Sequence, residues 1–423
     1  MRKLRNILRA LTVASAGLGA LVASAANVDD VVTTVAIPAE AFRLGSAAKK
    51  PADRIRWYSR AIELDPEMVE AYHNRGSAYF HERKYDEAIG DYSKAIELKP
   101  ERPQSYCNRG GAYLRKGDYD RAIRDCTKAI ELNPKLAEAY DNRALALRKT
   151  GKIKEAIRDY TKAIEVAPRF ARAYQCRGGA HYALGDLDRA VQDFSRAIQL
   201  SPRHAQTYEF RGRSYYRKHD YDRALRDYAE AIRLDPNMTE AYSGRGLAYT
   251  KKGRYDLAVQ DYTKAIELGP TGRPERFWRG WAFVNGGSYA KAIPDFAAYV
   301  KRFPDEPYGH LALYLARTRA GKRGMGDLAR FRKARKDAKW PTGAIRMLLG
   351  EITPNQCLAV ASDKDPKRDK EKKCEAYYYI GMIYLLRGDK RTARACFRWS
   401  VATKMEDLVE HTAAQAELGR LDR

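Results

Sequence analysis

Eight prolines, Pro66, Pro100, Pro134, Pro168, Pro202, Pro236, Pro270 and Pro304, fall 34 residues apart. The residues between them repeat as well. AYHNRGSAYFHERKYDEAIGDYSKAIELKP at 71–100 returns as AYSGRGLAYTKKGRYDLAVQDYTKAIELGP at 241–270. A fixed period of this length marks a stack of similar units, each of which needs its neighbours to bury its apolar face. The stack forms one quasi-one-dimensional domain rather than several independent ones. At 44% hydrophobic residues the chain can bury a core, which excludes wholesale disorder. The 30 Gly and 17 Pro show no three-residue period, which excludes a collagen-like chain. After residue 30 no apolar run reaches the length of a membrane span.

The unit resembles the tetratricopeptide repeat (TPR), 34 residues of helix–turn–helix with small residues at positions 8 and 20 and aromatics at 4, 11 and 24. Position 8 is Gly76, Gly110, Ala144, Gly178, Gly212, Gly246 and Gly280, and position 20 is Ala throughout, from Ala88 to Ala292. Small side chains there let two helices approach closely. Position 4 is Tyr72, Tyr106, Tyr140, Tyr174, Tyr208 and Tyr242, which accounts for much of the excess of 29 Tyr over 11 Phe. The resemblance implies an all-α fold, a right-handed superhelical solenoid. Seven full units span 69–306, and a divergent TPR-like unit precedes them at 38–68. Residues 307–373 are expected to form a divergent helical segment, with a break near Gly324 and a charged loop from Ser362 to Lys373 around Pro366. At 374–423 the signature returns in Tyr377, Gly381, Tyr384, Ala393 and Phe397, followed by a capping helix.

Two columns are charged. Position 7 is Arg75, Arg109, Arg143, Arg177, Arg211, Arg245 and Arg279, and position 23 is Asp91, Asp125, Asp159, Asp193, Asp227, Asp261 and Asp295. A row of arginines could bind an acidic polymer, or each fork could close on its own aspartate. In the C-terminal unit the two places hold Ile380 and Cys396, and the first half-unit has Trp57 in place of Asp. Loss of both charges together is what paired charges predict, since one left alone and buried costs several kcal/mol. The columns are read as structural ion pairs.

No catalytic constellation is present: no HExxH, GxSxG elbow, P-loop or dinucleotide-binding pattern. No cofactor or metal is implied, because no cysteine spacing fits a zinc site. A disulfide between Cys357 and Cys374, closing the charged loop, is an expectation for an exported chain. Binding remains. In TPR proteins the first helix of each unit lines a concave groove, and on that resemblance the groove takes Asn74, Asn108 and Asn142 at position 6. It also takes Arg115, Lys149, Arg217 and Lys251 at position 13, Tyr182 and Tyr216 at position 12, and Arg213 at position 9. Basic groups beside aromatics suit a protein or extended peptide carrying acidic residues, and Arg213, Tyr216 and Arg217 form the densest cluster.

The net charge of +25 includes one basic block: 307–346 holds 11 Lys/Arg against 2 Asp/Glu. Within 317–346, Arg330, Arg332, Lys333, Arg335, Lys336 and Lys339 surround Leu328, Phe331 and Trp340, an alternative surface for an anionic membrane or acidic polymer. A solvated cap helix accounts for the same charges. Residues 1–25 have a basic head, an apolar stretch from Leu11 to Val22 and small residues up to Ala25, the secretory pattern with cleavage near Ala25. No Cys lies there for lipid attachment. The expectation is an exported, periplasmic adaptor that binds protein; export argues against nucleic acid, and a cell-wall enzyme is the rival reading.

Overall fold

The structure is a computed structural model and describes residues 32–33, 35–269, 275–334 and 340–422. The expected leader and its cleavage site lie outside these residues. Among the described residues there are 23 α-helices and no strand, with adjacent helices packed in pairs as a solenoid requires. The chain divides into two compact units, residues 1–202 and 203–423.

The first unit holds five helix pairs: Pro38–Ala47 with Pro51–Leu64, Val69–His81 with Tyr85–Leu98, Pro103–Lys116 with Tyr119–Leu132, Ala137–Lys149 with Ile153–Val166, and Ala171–Ala183 with Leu187–Leu200. Local chemistry sets their ends. Position 15 needs a left-handed backbone to reverse the chain, and Gly117 (φ 82°), Gly151 (φ 83°) and Gly185 (φ 81°) supply it without a Cβ penalty. One residue later Asp118 and Asp186 accept hydrogen bonds from the backbone N–H of Arg121 and Arg189, capping the second helix. The periodic proline follows that helix's end, where its missing N–H costs nothing.

Within a pair, alanines such as Ala88, Ala122, Ala156 and Ala190 are fully buried beneath an aromatic of the second helix, Tyr92, Tyr160 or Phe194. Cys126, also fully buried, takes the aromatic's place in one pair. A Cβ added at Gly76 would sit 2.9 Å from the Tyr92 ring, so a larger residue at position 8 forces the helices apart, a cost of roughly 1–3 kcal/mol.

The second unit begins with the pairs Ala205–Arg217/Tyr221–Leu234, Thr239–Lys251/Tyr255–Leu268 and Glu275–Asn285/Tyr289–Arg302. The helix Pro307–Arg319 and three shorter ones, Met325–Ala334, Thr342–Leu348 and Pro354–Ala361, follow, then the pair Pro366–Leu386/Lys390–Ala402 and a final helix Val409–Leu421. Here the small-residue packing gives way to one continuous core of Trp281, Leu311, Leu315, Ile345, Tyr378, Tyr379 and Phe397. The break near Gly324 is present. The charged loop at 362–373 is not: helix begins at Pro366 and runs through that segment. Asp365 accepts from the N–H groups of Lys367 and Arg368, and Pro366 occupies the first helical turn, where proline starts a helix instead of breaking it. The segment boundary expected at 373/374 therefore falls inside a helix.

Candidate functional site

Each arginine of the position-7 column reaches the aspartate 16 residues on with two parallel hydrogen bonds. Arg109 Nε and Nη2 donate to Asp125 Oδ2 and Oδ1 at 2.7 and 2.9 Å. The other six pairs, Arg75–Asp91, Arg143–Asp159, Arg177–Asp193, Arg211–Asp227, Arg245–Asp261 and Arg279–Asp295, repeat this at 2.7–2.9 Å. The aspartates are buried. Hydrogen bonding to Asp125, opposed by desolvation, holds the Arg109 guanidinium above its ordinary pKa. At Asp261 burial is the larger influence and raises the carboxyl despite Arg245.

The sequence reading missed two further partners of the same guanidinium. Nη1 of Arg75, Arg109, Arg143, Arg177 and Arg279 donates to Ser59, Ser93, Thr127, Thr161 and Thr263, on the second helix of the preceding pair. The guanidinium also lies over the position-4 tyrosine of its own helix, 5.7 Å from the ring centroid for both Tyr72 and Tyr106. Each of these five arginines so ties three helices together. The column of Ser/Thr at position 25 was the visible signal. The seven arginines are committed to the scaffold.

In the first unit the first helices of successive pairs enclose a concavity of about 470 Å³. Asn108, Gly111, Leu114 and Arg115 come from one helix, Glu138, Asn142, Leu145 and Lys149 from the next, and Phe80, His81, Tyr119 and Arg172 complete the wall. Asn108, Asn142, Arg115 and Lys149 thus line one concavity. Asn74 and Tyr182 are half-buried on neighbouring helices and do not line it.

The asparagines are held from behind. The Asn108 amide lies 3.3 Å from His73 Nε2, while His73 Nδ1 lies 3.2 Å from Ser105 Oγ. Burial pulls the His73 pKa down to about 4, so the ring is neutral, accepts from Asn108 and donates to Ser105. Asn142 donates weakly to Cys107 Sγ at 3.7 Å. Below Asn142, Asp141 is 1% exposed and within 3.1 Å of Arg172, and burial lifts its pKa to about 6.

The second unit corrects the sequence expectation. Its equivalent face is covered by the chain's own C-terminal segment. Lys251 Nζ donates to the Glu406 carbonyl and, at 2.9 Å, to Thr412 Oγ1. His219 Nδ1 lies 3.2 Å from the Glu406 carboxylate. Tyr216 packs on Tyr221, 5.5 Å between centroids, and burial, with Tyr221 and Asp407 nearby, raises its pKa. Burial in turn lowers the Lys251 pKa against the attraction of Asp407 and Glu406. Farther along, Glu417 of the final helix accepts from Tyr289 and Arg319, and Arg420 donates to the Asn285 carbonyl at 2.7 Å. Arg213 is engaged by Glu209 at 2.6 Å. Tyr216 and Lys251 are therefore internal contacts, while Arg213, with its side chain 42% exposed, and Arg217 remain at the surface. The sequence could not show this, because no repeat position records where a terminal helix folds back.

With helix pairs, small-residue seams and face in place, the comparison with known proteins is direct. Models of the tetratricopeptide repeat match residues 69–102, 103–136, 142–205, 211–273, 276–306 and 375–398. The chain belongs to the tetratricopeptide repeat family. Among solved structures this TPR chain is similar to MamA, at 30% identity over 38% of this chain and 94% of MamA, with a TM-score of 0.37. It is also similar to YrrB, described as a TPR protein with an unusual peptide-binding site, at 24% identity over 44% of this chain and 95% of YrrB, TM-score 0.36. For PilF of Pseudomonas aeruginosa the values are 21%, 51%, 96% and 0.45.

Two expectations outside the TPR groove fare differently. The basic block is partly neutralised: Asp327 pairs with both Arg317 and Arg330, and Glu351 with Arg332 and Arg346 at 3.3 Å each. Lys333 is exposed, and Arg335, Lys336 and Lys339 lie outside the described residues. The disulfide expectation is corrected. All six cysteines are free thiols, and Cys374 lies mid-helix with its Sγ 3.4 Å from Ser400 Oγ. The loop it was expected to close is helix. Burial raises both thiols, Cys357 to about 12.

Proposed function

We propose that this TPR protein is a non-catalytic adaptor that holds a protein segment bearing acidic residues in the concavity of its first unit, and that it works in the bacterial cell envelope after removal of residues 1–25. One observation carries the reading. Arg115, Lys149, Arg172 and His81 rim the same concavity as Asn108 and Asn142, with Glu138 the one acidic residue lining it. The cations supply attraction and steering for a negatively charged chain. The asparagine amides supply donors and acceptors that match a peptide backbone. Arg115 and Lys149 are exposed and make no ion pair among the described residues. The basic head, apolar stretch and small-residue site at the N-terminus support export.

The test is in-cell cross-linking of the tagged chain beside an Arg115→Glu/Lys149→Glu variant, with mass spectrometry of what is trapped and of the mature N-terminus. A partner captured by the parent and lost in the variant, from a chain beginning near residue 26, is the expected result. Equal capture by both forms refutes the surface, and a retained leader refutes the location.

A further inference from the structure

The contact that holds the C-terminal segment in the second unit has a counterpart in the first. Tyr216, His219, Tyr221 and Lys251 surround the acidic turn Glu406–Asp407. Four periods earlier, 136 residues, stand Phe80, Arg83, Tyr85 and Arg115.

The correspondence is geometric as well as sequential. Phe80 and Tyr85 pack with centroids 5.5 Å apart at 65°, against 5.5 Å and 59° for Tyr216 and Tyr221. Lys116 pairs with Asp86 of the preceding helix pair, as Lys252 pairs with Asp222, so the two frames join successive pairs in the same way. Position 15 is the most telling. Gly117, Gly151, Gly185, Gly253 and Gly287 fill it in the other repeats, and only Arg83 (φ 62°) and His219 (φ 59°) place a side chain there. A left-handed backbone disfavours any L side chain, so Arg83 and His219 each sit there at a backbone cost. At His219 a use is visible: its Nδ1 lies 3.2 Å from the Glu406 carboxylate and 2.9 Å from the Tyr221 hydroxyl. Arg83 and Arg115 are exposed and have no ion-pair partner among the described residues.

The occupant of the second unit shows what such a cluster takes. Glu406 gives its carboxylate to position 15 and its carbonyl to the position-13 cation, Asp407 approaches the aromatic pair, and Val409–Leu421 follows as a helix. That helix has no side-chain cap of its own; Lys251 binds the turn ahead of it and the Thr412 hydroxyl in its first turn. In the first unit both cationic places are guanidiniums, which grip a carboxylate with a planar fork and stay charged at all relevant pH.

We propose that Phe80, Arg83, Tyr85 and Arg115 form a receptor for a partner protein's helix that is led in by two consecutive carboxylates. The inference rests on the adaptor reading and names the partner segment's chemistry: an acidic pair, a one-residue joint, then a helix.

The probe is a fluorescent synthetic copy of residues 403–423, its helix held by a staple between positions 415 and 419, both exposed in the parent. It is titrated against the full chain by anisotropy. Saturable binding is expected, weakened about tenfold by Arg83→Gly or Arg115→Ser, the scale of one charge-assisted bond. Arg83→Gly keeps the fold, because glycine is what five other repeats carry there. Replacing Glu406 and Asp407 of the probe by Gln and Asn should weaken it similarly, and His219→Gly in the chain should leave it unchanged. No binding, binding indifferent to Arg83, or binding that follows His219 overturns the proposal. If cross-linking in cells still depends on Arg115 and Lys149 while this probe fails, the adaptor reading stands and this inference alone falls.

Discussion

The arginine–aspartate ladder makes a quantitative prediction at Arg109. Its guanidinium holds Asp125 through bonds of 2.7 and 2.9 Å, Ser93 through one of 2.9 Å, and lies 5.7 Å from the Tyr106 centroid. The two side chains are 20% and 11% exposed. Arg109→Met leaves the Asp125 carboxylate in a nearly closed site with no counter-charge. Breaking a fully buried pair costs about 3–5 kcal/mol, and the partial exposure of the arginine lowers that to about 2–3. Asp125→Leu alone strands the guanidinium, which can turn outward, for about 1–2 kcal/mol. In the double variant no charge is stranded, and apolar replacement of a buried pair is close to neutral, so only the lost Ser93 bond and Tyr106 contact remain and the total should be about 1–2 kcal/mol rather than the sum of the singles. The assay is urea unfolding followed by circular dichroism, with hydrogen exchange in Pro103–Lys116 and Tyr119–Leu132 as the local readout. Additive single costs would refute the claim that these charges act as pairs.

Three further outcomes follow from the same structure. Glu375 accepts from Tyr308 at 2.9 Å and Trp340 at 2.6 Å, and burial, then the nearby Glu410, lifts its pKa from 4.5 to about 8. The fold favours its neutral form, so its contribution is full below 4.5 and lost as pH rises through about 8; the melting midpoint read by Trp340 fluorescence should fall over that window and flatten in Glu375→Gln. Arg83→Gly should stabilise the chain by about 0.5–1 kcal/mol by relieving the left-handed backbone, whereas His219→Gly, which also loses Glu406, should gain less; chemical denaturation compares them. The five buried cysteines should resist a thiol reagent in the native protein, half-buried Cys176 should react first, and all six should react once it is denatured, with no mass change on reduction; a two-hydrogen mass difference would show a disulfide.

The repeat was legible because a column of residues reports one environment many times over. Seven arginines with seven aspartates, vanishing together at Ile380 and Cys396, identify a pair without coordinates. The third partner at position 25 is nearly as periodic, with Ala229 the exception, but Ser and Thr are common enough on helix surfaces to pass unnoticed. Single events were not legible. Pro366 marks a break or a start depending on whether Asp365 caps the helix, and the cap decides it. Asn108 and Asn142 could be placed on the lining face from position alone. That Lys251 and Tyr216 are covered could not, because Glu406 and Thr412 lie more than 150 residues away and belong to no repeat column. Position 15 carries a sequence signal of its own: two side chains, Arg83 and His219, where the other full repeats have glycine.

The central claim is that the first unit receives its partner on the face rimmed by Arg115 and Lys149. It is tested most directly by placing a photoreactive residue at Leu114, inside that concavity, or at Arg124, exposed on the second helix of the same pair, and irradiating cells. The account predicts a cross-linked partner from position 114 and none from 124. Capture from 124 with none from 114 would contradict it.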